Sequence, residues 1–148
     1  MWERGNTPAT IPVATDYADI GKFQVAHRGK KVALFGLGAF FPLAQEVAAK
    51  LRKKGLDPTV VNPCYAGDMD EALIADLAND HELVVTLEDG GIAGGFGEKV
   101  ARVAAAHGLK VLVKGAPKKF EDRFDPKDLL TRAGLTVEKI SADVLAHA

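Results

Sequence analysis

The chain has 148 residues, of which 47% are hydrophobic and 26% charged, and its formal net charge is −1. This length predicts a single domain that buries roughly 70% of the surface its unfolded form exposes. The near-neutral charge, with basic residues scattered among acids, disfavours nucleic acid and anionic membranes as partners. The single cysteine, Cys64, excludes an internal disulfide.

The N-terminal residues lack the apolar core of a signal peptide, and no stretch of about 18 apolar residues could span a bilayer. One cysteine also fits a reducing compartment. We therefore expect a cytoplasmic protein.

Residues 1–19 hold Pro8 and Pro12 without helical or strand periodicity and predict an extended linker. Beyond them, strand patterns alternate with helix patterns. The predicted strands are 20–26, 31–36, 59–61, 83–88 and 110–113; the predicted helices are 39–54, one containing Leu73 to Leu77, one beginning at Glu98, and one after Asp125-Pro126 that Gly134 interrupts. This alternation with short connections predicts a three-layer α/β/α sandwich around a mostly parallel sheet.

Local signals refine these elements. Segment 20–26 alternates apolar and polar residues, as an edge strand does, whereas 31–36 is a nearly continuous apolar run typical of a central strand. Pro42 fits the first turn of a helix. The stretch Asp68-Met69-Asp70-Glu71 predicts a capping box.

The glycine-rich turn, residues 90–97, is the first candidate for a functional site. It follows strand 83–88 and the acids Glu88 and Asp89, and its candidate residues are Gly90, Gly91, Gly94, Gly95, Phe96 and Gly97. Glycine permits positive φ and lets a helix begin close to a strand end, where ligands or partner subunits meet α/β sheets. We expect this turn to serve as a loop or an interface.

Other motifs leave alternatives open. Gly36-Leu37-Gly38 resembles part of a dinucleotide-binding turn, but Phe41 replaces the third glycine, which favours a simple tight turn. Glu88 and Asp89 could form an acid–base pair. Because neighbouring strand residues point to opposite faces, we favour one acid capping the loop or pairing across an interface while the other is solvated.

The histidines give no further site. His27, His81, His107 and His147 have neither metal-ligand spacing nor a nucleophile–base pattern. The sequence therefore predicts no metal site and no catalytic residue.

Two motifs carry a family resemblance: residues 81–97, from His81 through the acids to Gly97, and Gly115-x-Pro117-x-x-Phe120 followed by Asp125-Pro126. On these residues nearly the whole chain resembles the C-terminal domain of the transketolase superfamily, most closely in the 1-deoxy-D-xylulose-5-phosphate synthase family. The resemblance implies a five-stranded sheet whose first strand is antiparallel, in a domain of residues 20–148. Residues 1–19 would then be a linker from a preceding domain.

The resemblance also implies a function. In the family, thiamine diphosphate and Mg²⁺ are held by two upstream domains, so this chain would bind no cofactor itself. It would be a non-catalytic domain of a transferase of isoprenoid biosynthesis that joins pyruvate and glyceraldehyde 3-phosphate with loss of CO₂. The implied partners are a second copy, forming a homodimer, or the upstream thiamine-binding domains. Arg4 matches an arginine that approaches the substrate phosphate in the family.

A second function stays open from the residues alone. The chain could be a free-standing module that binds a phosphorylated metabolite at the helix starts after Gly38 or Gly97, because helix N-terminal amides bind anions.

Overall fold

A computed structural model of the chain describes residues 21–64, 69–91, 94–116, 131 and 134–147. The strands in these ranges are β1 (Gln24–His27), β2 (Lys31–Gly36), β3 (Thr59–Asn62), β4 (His81–Gly91) and β5 (Lys110–Ala116). The helices are α1 (Phe41–Lys53), α2 (Glu71–Leu77), α3 (Phe96–Ala105) and α4 (Val137–His147), and a 3-10 turn, Gly38–Phe40, precedes α1.

The five strands form one sheet in the order β1-β3-β2-β4-β5. β1 runs antiparallel to β3, and the other pairs are parallel. The predicted central position of 31–36 is confirmed, because β2 is the middle strand. The edge position of the first strand is confirmed as well, and so is the mixed five-stranded sheet.

Helices cover both faces of this sheet, which confirms the three-layer sandwich. On one face, α1 and α4 pack through Val47, Leu51 and Ile140 against strand residues such as Leu34 and Val85. On the other face, α2 and α3 pack against the alternate strand residues. That second core contains Phe35, Val84, Ile74, Leu77, Val100 and Ala104. The nearly continuous apolar run of β2 is explained by burial on both sides.

The first strand begins later than the predicted 20–26. β1 starts at Gln24, because Phe23 turns into the core and its ring meets Phe35 edge-on at 5.7 Å between centroids. The Phe23 amide donates to Asp70 Oδ2 at 2.9 Å instead of joining the strand ladder. Burial of one aromatic ring therefore overrides the alternating pattern.

The helix predicted over 39–54 corresponds to the 3-10 turn and α1, with Pro42 in the first turn as expected. The capping box predicted at Asp68 to Glu71 is wrong in detail. Asp70 is the N-cap of α2, and its side chain accepts the Leu73 amide. Asp68 lies outside the described residues.

The largest boundary differences surround the glycine-rich turn. β4 extends from His81 to Gly91 rather than over 83–88, and α3 begins at Phe96 rather than Glu98. Extended backbone continues into the glycines because Gly91 pairs with Ala116 of β5, past an irregularity that follows Leu87. The helix predicted directly after Asp125-Pro126 falls mostly outside the described residues; α4 follows Gly134, whose φ is +72°.

Candidate functional site

The candidate site lies at the carboxyl edge of the sheet, where β4 passes into α3. Glu88 is 2% exposed, and its Oε2 accepts the Gly97 amide at 2.7 Å. Gly97 is the second residue of α3, so the carboxylate sits at the positive end of that helix. Glu88 thus has the capping role that the sequence predicts as one possibility for one of the two acids.

Gly97 has no space for a side chain. A Cβ there would lie 2.4 Å from Val113 Cγ1 and 2.6 Å from Thr86 Oγ1. The bare backbone therefore lets the first turn of α3 rest directly on β4 and β5. The sequence interpretation, that these glycines supply positive φ, holds for Gly94 at +70°, whereas Gly97 serves close packing.

A second carboxylate completes the helix start. Glu98 Oε2 accepts the Gly94 amide at 2.8 Å, just before the N-cap Gly95. This single bond resembles half of a capping box, since the carboxylate at the third helical position reaches back to the Gly94 amide, which precedes the N-cap Gly95, and glycine has no side chain to complete the pair. Two acids of the chain therefore occupy the helix end that an external anion would otherwise approach.

At the start of α1, two amides are likewise already used within the chain. The Phe40 amide donates to Leu37 O, the Phe41 amide donates to Gly38 O, and Pro42 has no amide hydrogen. A Cβ on Gly36 would lie 2.7 Å from Phe40 O, so this glycine too is a packing position. The Gly36-Leu37-Gly38 motif is thus a tight turn in which these amides are already used.

Most of the remaining predicted site residues lie at the end of β4 or the start of α3. Gly90 and Gly91 belong to β4, together with the backbone of Asp89, and Gly95 and Phe96 form the N-cap and first residue of α3. The Phe96 ring is buried, and its centroid lies 6.1 Å from the centroid of the Phe23 ring. Arg4 lies outside the described residues, and its expected contact with a substrate phosphate stays a prediction.

The structure also assembles a group of side chains that the sequence did not reveal. At the amino edge of the sheet, Thr59 Oγ1 lies 2.7 Å from His81 Nε2, and His81 Nδ1 lies 2.6 Å from Asp80 Oδ1. These distances are those of a nucleophile, base and acid. Thr59 comes from β3 and His81 from β4, so no local spacing could have signalled the arrangement.

Burial decides against a catalytic role for this group. Thr59 is 0% exposed, and its hydroxyl oxygen accepts the Gly29 amide at 2.9 Å. The same oxygen shares a hydrogen bond with His81 Nε2, and His81 Nδ1 also lies 3.0 Å from Leu77 O, so both ring nitrogens have partners within the core. A substrate has no path to the Thr59 oxygen, so the group acts as a buried clasp between strands.

Asp80 connects this clasp to the surface. Partial desolvation raises the pKa of its carboxyl, but hydrogen bonds with His81 and Arg28 outweigh that effect and hold the pKa below its ordinary value. Arg28 also bonds Asp76 at 2.8 Å. The acid is therefore charged at neutral pH and already has Arg28 as a cationic partner.

The described residues do not fit a metal-bound diphosphate. They contain no group of three His, Cys, Asp or Glu side chains that could hold a metal ion. The α3 amide best placed for a phosphate faces Glu88 instead. The same part of the chain contains no helix long and apolar enough to cross a membrane.

The chain is therefore a three-layer α/β domain with one antiparallel edge strand, in which two of its own acids bond amides at the start of α3. Sequence comparison agrees with this class: the family described as "Transketolase, C-terminal domain" matches residues 21–140. The chain belongs to the transketolase C-terminal domain family.

Two of the similar proteins are much longer than this chain. The chain is 39% identical over 99% of its length to 1-deoxy-D-xylulose-5-phosphate synthase of Thioalkalivibrio sulfidiphilus, and 38% identical over 97% to that of Stutzerimonas stutzeri. It spans 22% of the length of each of these relatives.

Solved structures show the same fold. A chain described as the inactive beta4 tetramer of a split-gene transketolase is 30% identical, with a TM-score of 0.79 over 85% of this chain and 42% of that one. Transketolase of Campylobacter jejuni is 22% identical and covers 93% of this chain and 20% of its own, with a TM-score of 0.61. The second likeness supports the fold alone.

Proposed function

We propose that this chain acts as the C-terminal domain of a thiamine-diphosphate-dependent transferase similar to 1-deoxy-D-xylulose-5-phosphate synthase. The observation that carries the proposal is the match over 99% of this chain to 22% of such an enzyme. In this role the domain packs against the other domains of the enzyme and contributes to its assembly, while the upstream domains hold the cofactor and the substrate.

The geometry supports a non-catalytic role. The buried acid at the glycine-rich turn, Glu88, is bonded to the domain's own helix amide, and the buried Thr59–His81 pair is closed to substrate. In this proposal residues 1–19 are the linker from the preceding domain and Arg4 reaches the substrate phosphate. A cytoplasmic location stays a prediction.

A chimaera tests the proposal. This chain would replace the C-terminal fifth of the Thioalkalivibrio enzyme, and product formation from pyruvate and glyceraldehyde 3-phosphate would be measured. We expect turnover with a KM for pyruvate close to that of the parent, because the groups that bind pyruvate stay upstream. A folded chimaera without turnover would contradict the proposal.

The matched controls are the truncated parent and the isolated chain. If the domain contributes to dimerisation, the truncated parent should lose dimer in analytical ultracentrifugation and the chimaera should regain it. Isothermal titration of the isolated chain with thiamine diphosphate and Mg²⁺ should show no specific heat. Turnover of 2-oxo acids by the isolated chain would overturn the assignment.

The alternative, a module that binds a phosphorylated metabolite at the helix starts after Gly38 or Gly97, meets a physical obstacle. Glu88 already accepts the Gly97 amide at the start of α3, and at the start of α1 the Phe41 amide is used within the turn while Pro42 has no amide hydrogen. Saturable amide shifts at Gly38 or Gly97 during a phosphate titration would favour this alternative.

A further inference from the structure

Lys31, the first residue of the central strand, has an unusual backbone. Its φ is +69°, and the Val32 amide donates to Lys30 O at 2.8 Å. This bond closes a three-residue turn around Lys31, and positive φ at its centre marks the rare, strained form of the γ-turn. Strained non-glycine residues concentrate at functional sites, where the surrounding structure holds them in place.

The surroundings of this turn are rigid. The Lys30 amide donates to Asp57 O and the Lys31 amide to Asp80 O, each at 2.9 Å. Gly29 packs so closely that a Cβ would lie 2.0 Å from Asp57 O. The loops after α1 and α2 therefore fix the conformation of Lys31 from both sides.

The turn opens into a surface pocket at the amino edge of the sheet, opposite the glycine-rich turn. The pocket has a volume of about 400 Å³ and is lined by residues that include Arg28, Lys30 and Lys31. An adjoining pocket of about 270 Å³ shares Lys31 and adds Lys54. Together they have the size of a site for a small metabolite.

The charges around Lys31 leave a cationic excess. The acids of the first pocket already have partners: Asp57 bonds His27 and Arg52, and Asp80 bonds Arg28 and His81. In the adjoining pocket the acid is Glu82, and the two lysines that line the same pocket, Lys31 and Lys54, outnumber it.

In contrast, the described residues supply no ion-pair partner to three exposed ammonium groups, which belong to Lys30, Lys31 and Lys54. Lysine binds phosphate as a flexible point charge.

We propose that this pocket binds a small phosphate-bearing molecule, whose phosphate is neutralised by Lys30 and Lys31. The strained turn presents the two neighbouring ammonium groups from a fixed backbone, which lowers the ordering cost of binding. This inference does not depend on the proposed role in a transferase, and its location differs from the helix starts considered above.

An NMR titration of the full 148-residue chain tests the inference, with inorganic pyrophosphate as the probe at constant ionic strength. We expect saturable amide shifts at Lys30, Lys31 and Gly55. Citrate, a carboxylate polyanion of similar charge to pyrophosphate at neutral pH, separates phosphate recognition from recognition of any small polyanion in a parallel titration, and it should bind more weakly. Equal binding of citrate, or shifts that do not saturate, would overturn the proposal.

Three variants separate charge from backbone strain. Lys31→Gln keeps the strained backbone and should weaken pyrophosphate binding at least about tenfold, since it removes a charge-assisted contact. Lys31→Gly relieves the strain and should lose binding without a lower Tm. Arg102→Gln removes one exposed positive charge from α3, outside both pockets, and should leave binding unchanged. Unchanged binding in Lys31→Gln would show that the turn is purely structural.

Discussion

Gly97 lies where α3 comes closest to the sheet, and a methyl group there would overlap Val113 and Thr86. We expect Gly97→Ala to lower the free energy of unfolding by about 1–3 kcal/mol, because valine is stiff and the strands cannot move apart cheaply. Urea denaturation measures this change.

Two further variants control for the overlap. Gly94 has φ +70° and open space around its Cβ position, so Gly94→Ala tests backbone strain alone. Val113→Ala should partly rescue Gly97→Ala, with a favourable coupling of about 0.5–3 kcal/mol in a double-mutant cycle. Strict additivity would show that the overlap with Val113 is not the cause.

A substitution at Glu88 tests whether this buried acid stabilises the fold or takes part in catalysis. Its carboxylate accepts the Gly97 amide, so Glu88→Gln should reduce stability by about 1–2 kcal/mol through loss of a charged acceptor at a helix start. In the chimaera, kcat should be unchanged once the protein is folded. A lower kcat at unchanged Tm would restore the acid–base interpretation of Glu88.

At this scale the sequence located the important residues without their contacts. It singled out Glu88 and Gly97, and it offered capping as one role for an acid. The close approach of Gly97 to Val113 was not predictable, because it depends on β5 lying beside β4. Lys31 gave no local signal either, since positive φ in a lysine is imposed by bonds to distant loops.

Among the elements, α2 depends on Asp70, which joins two parts of the chain. One oxygen caps the Leu73 amide, and the other accepts the Phe23 amide that precedes β1. We expect Asp70→Ala to cost about 2 kcal/mol, since a lost cap costs about 1 kcal/mol and the partly buried Phe23 amide loses its acceptor.

Asp70→Asn is the matched control. Its single carbonyl oxygen can cap Leu73, but its amide nitrogen cannot accept the Phe23 hydrogen. Asn should therefore lie between aspartate and alanine in chemical denaturation. If Asn were as unstable as alanine, the contact with Phe23 would carry nearly the whole effect.

The observed boundaries of strands differed from the predicted ones where tertiary contacts act on the end of a strand. β4 gained residues at its glycine-rich end because β5 offers a partner to Gly91, and β1 lost residues because Phe23 is buried. Helix α1, with a regular apolar stripe and Pro42 in its first turn, was predicted more closely. Local signals were sufficient for this helix because Pro42 marks its first turn and Gly55, with positive φ, directly follows its C-cap.

For the whole molecule, Asp143 joins α4 to the edge strand β5 and predicts a pH dependence. The Lys114 ammonium, at 2.5 Å, and the Lys139 ammonium, at 3.0 Å, hold the pKa of Asp143 below its ordinary value. A carboxyl whose pKa is lowered by folding stabilises the protein above its unfolded pKa, and that contribution disappears as pH falls through the folded pKa.

We therefore expect Asp143→Asn to lower Tm at neutral pH, and the difference from the unmodified chain to shrink as pH falls below about 4, the ordinary range of an aspartate. Thermal unfolding monitored by circular dichroism across this range measures the effect. A difference in Tm that stayed constant from neutral to acidic pH would exclude the ion pairs as its cause.

The sequence by itself determined the alternation of strands and helices, the burial of β2 on both faces and the layered architecture, because these follow from apolar periodicity along the chain. The antiparallel first strand came from family resemblance rather than from any pattern. Only the tertiary structure decided the order β1-β3-β2-β4-β5, the Thr59–His81 clasp and the strained turn at Lys31. Each of these depends on contacts between residues far apart in sequence, which local propensity does not encode.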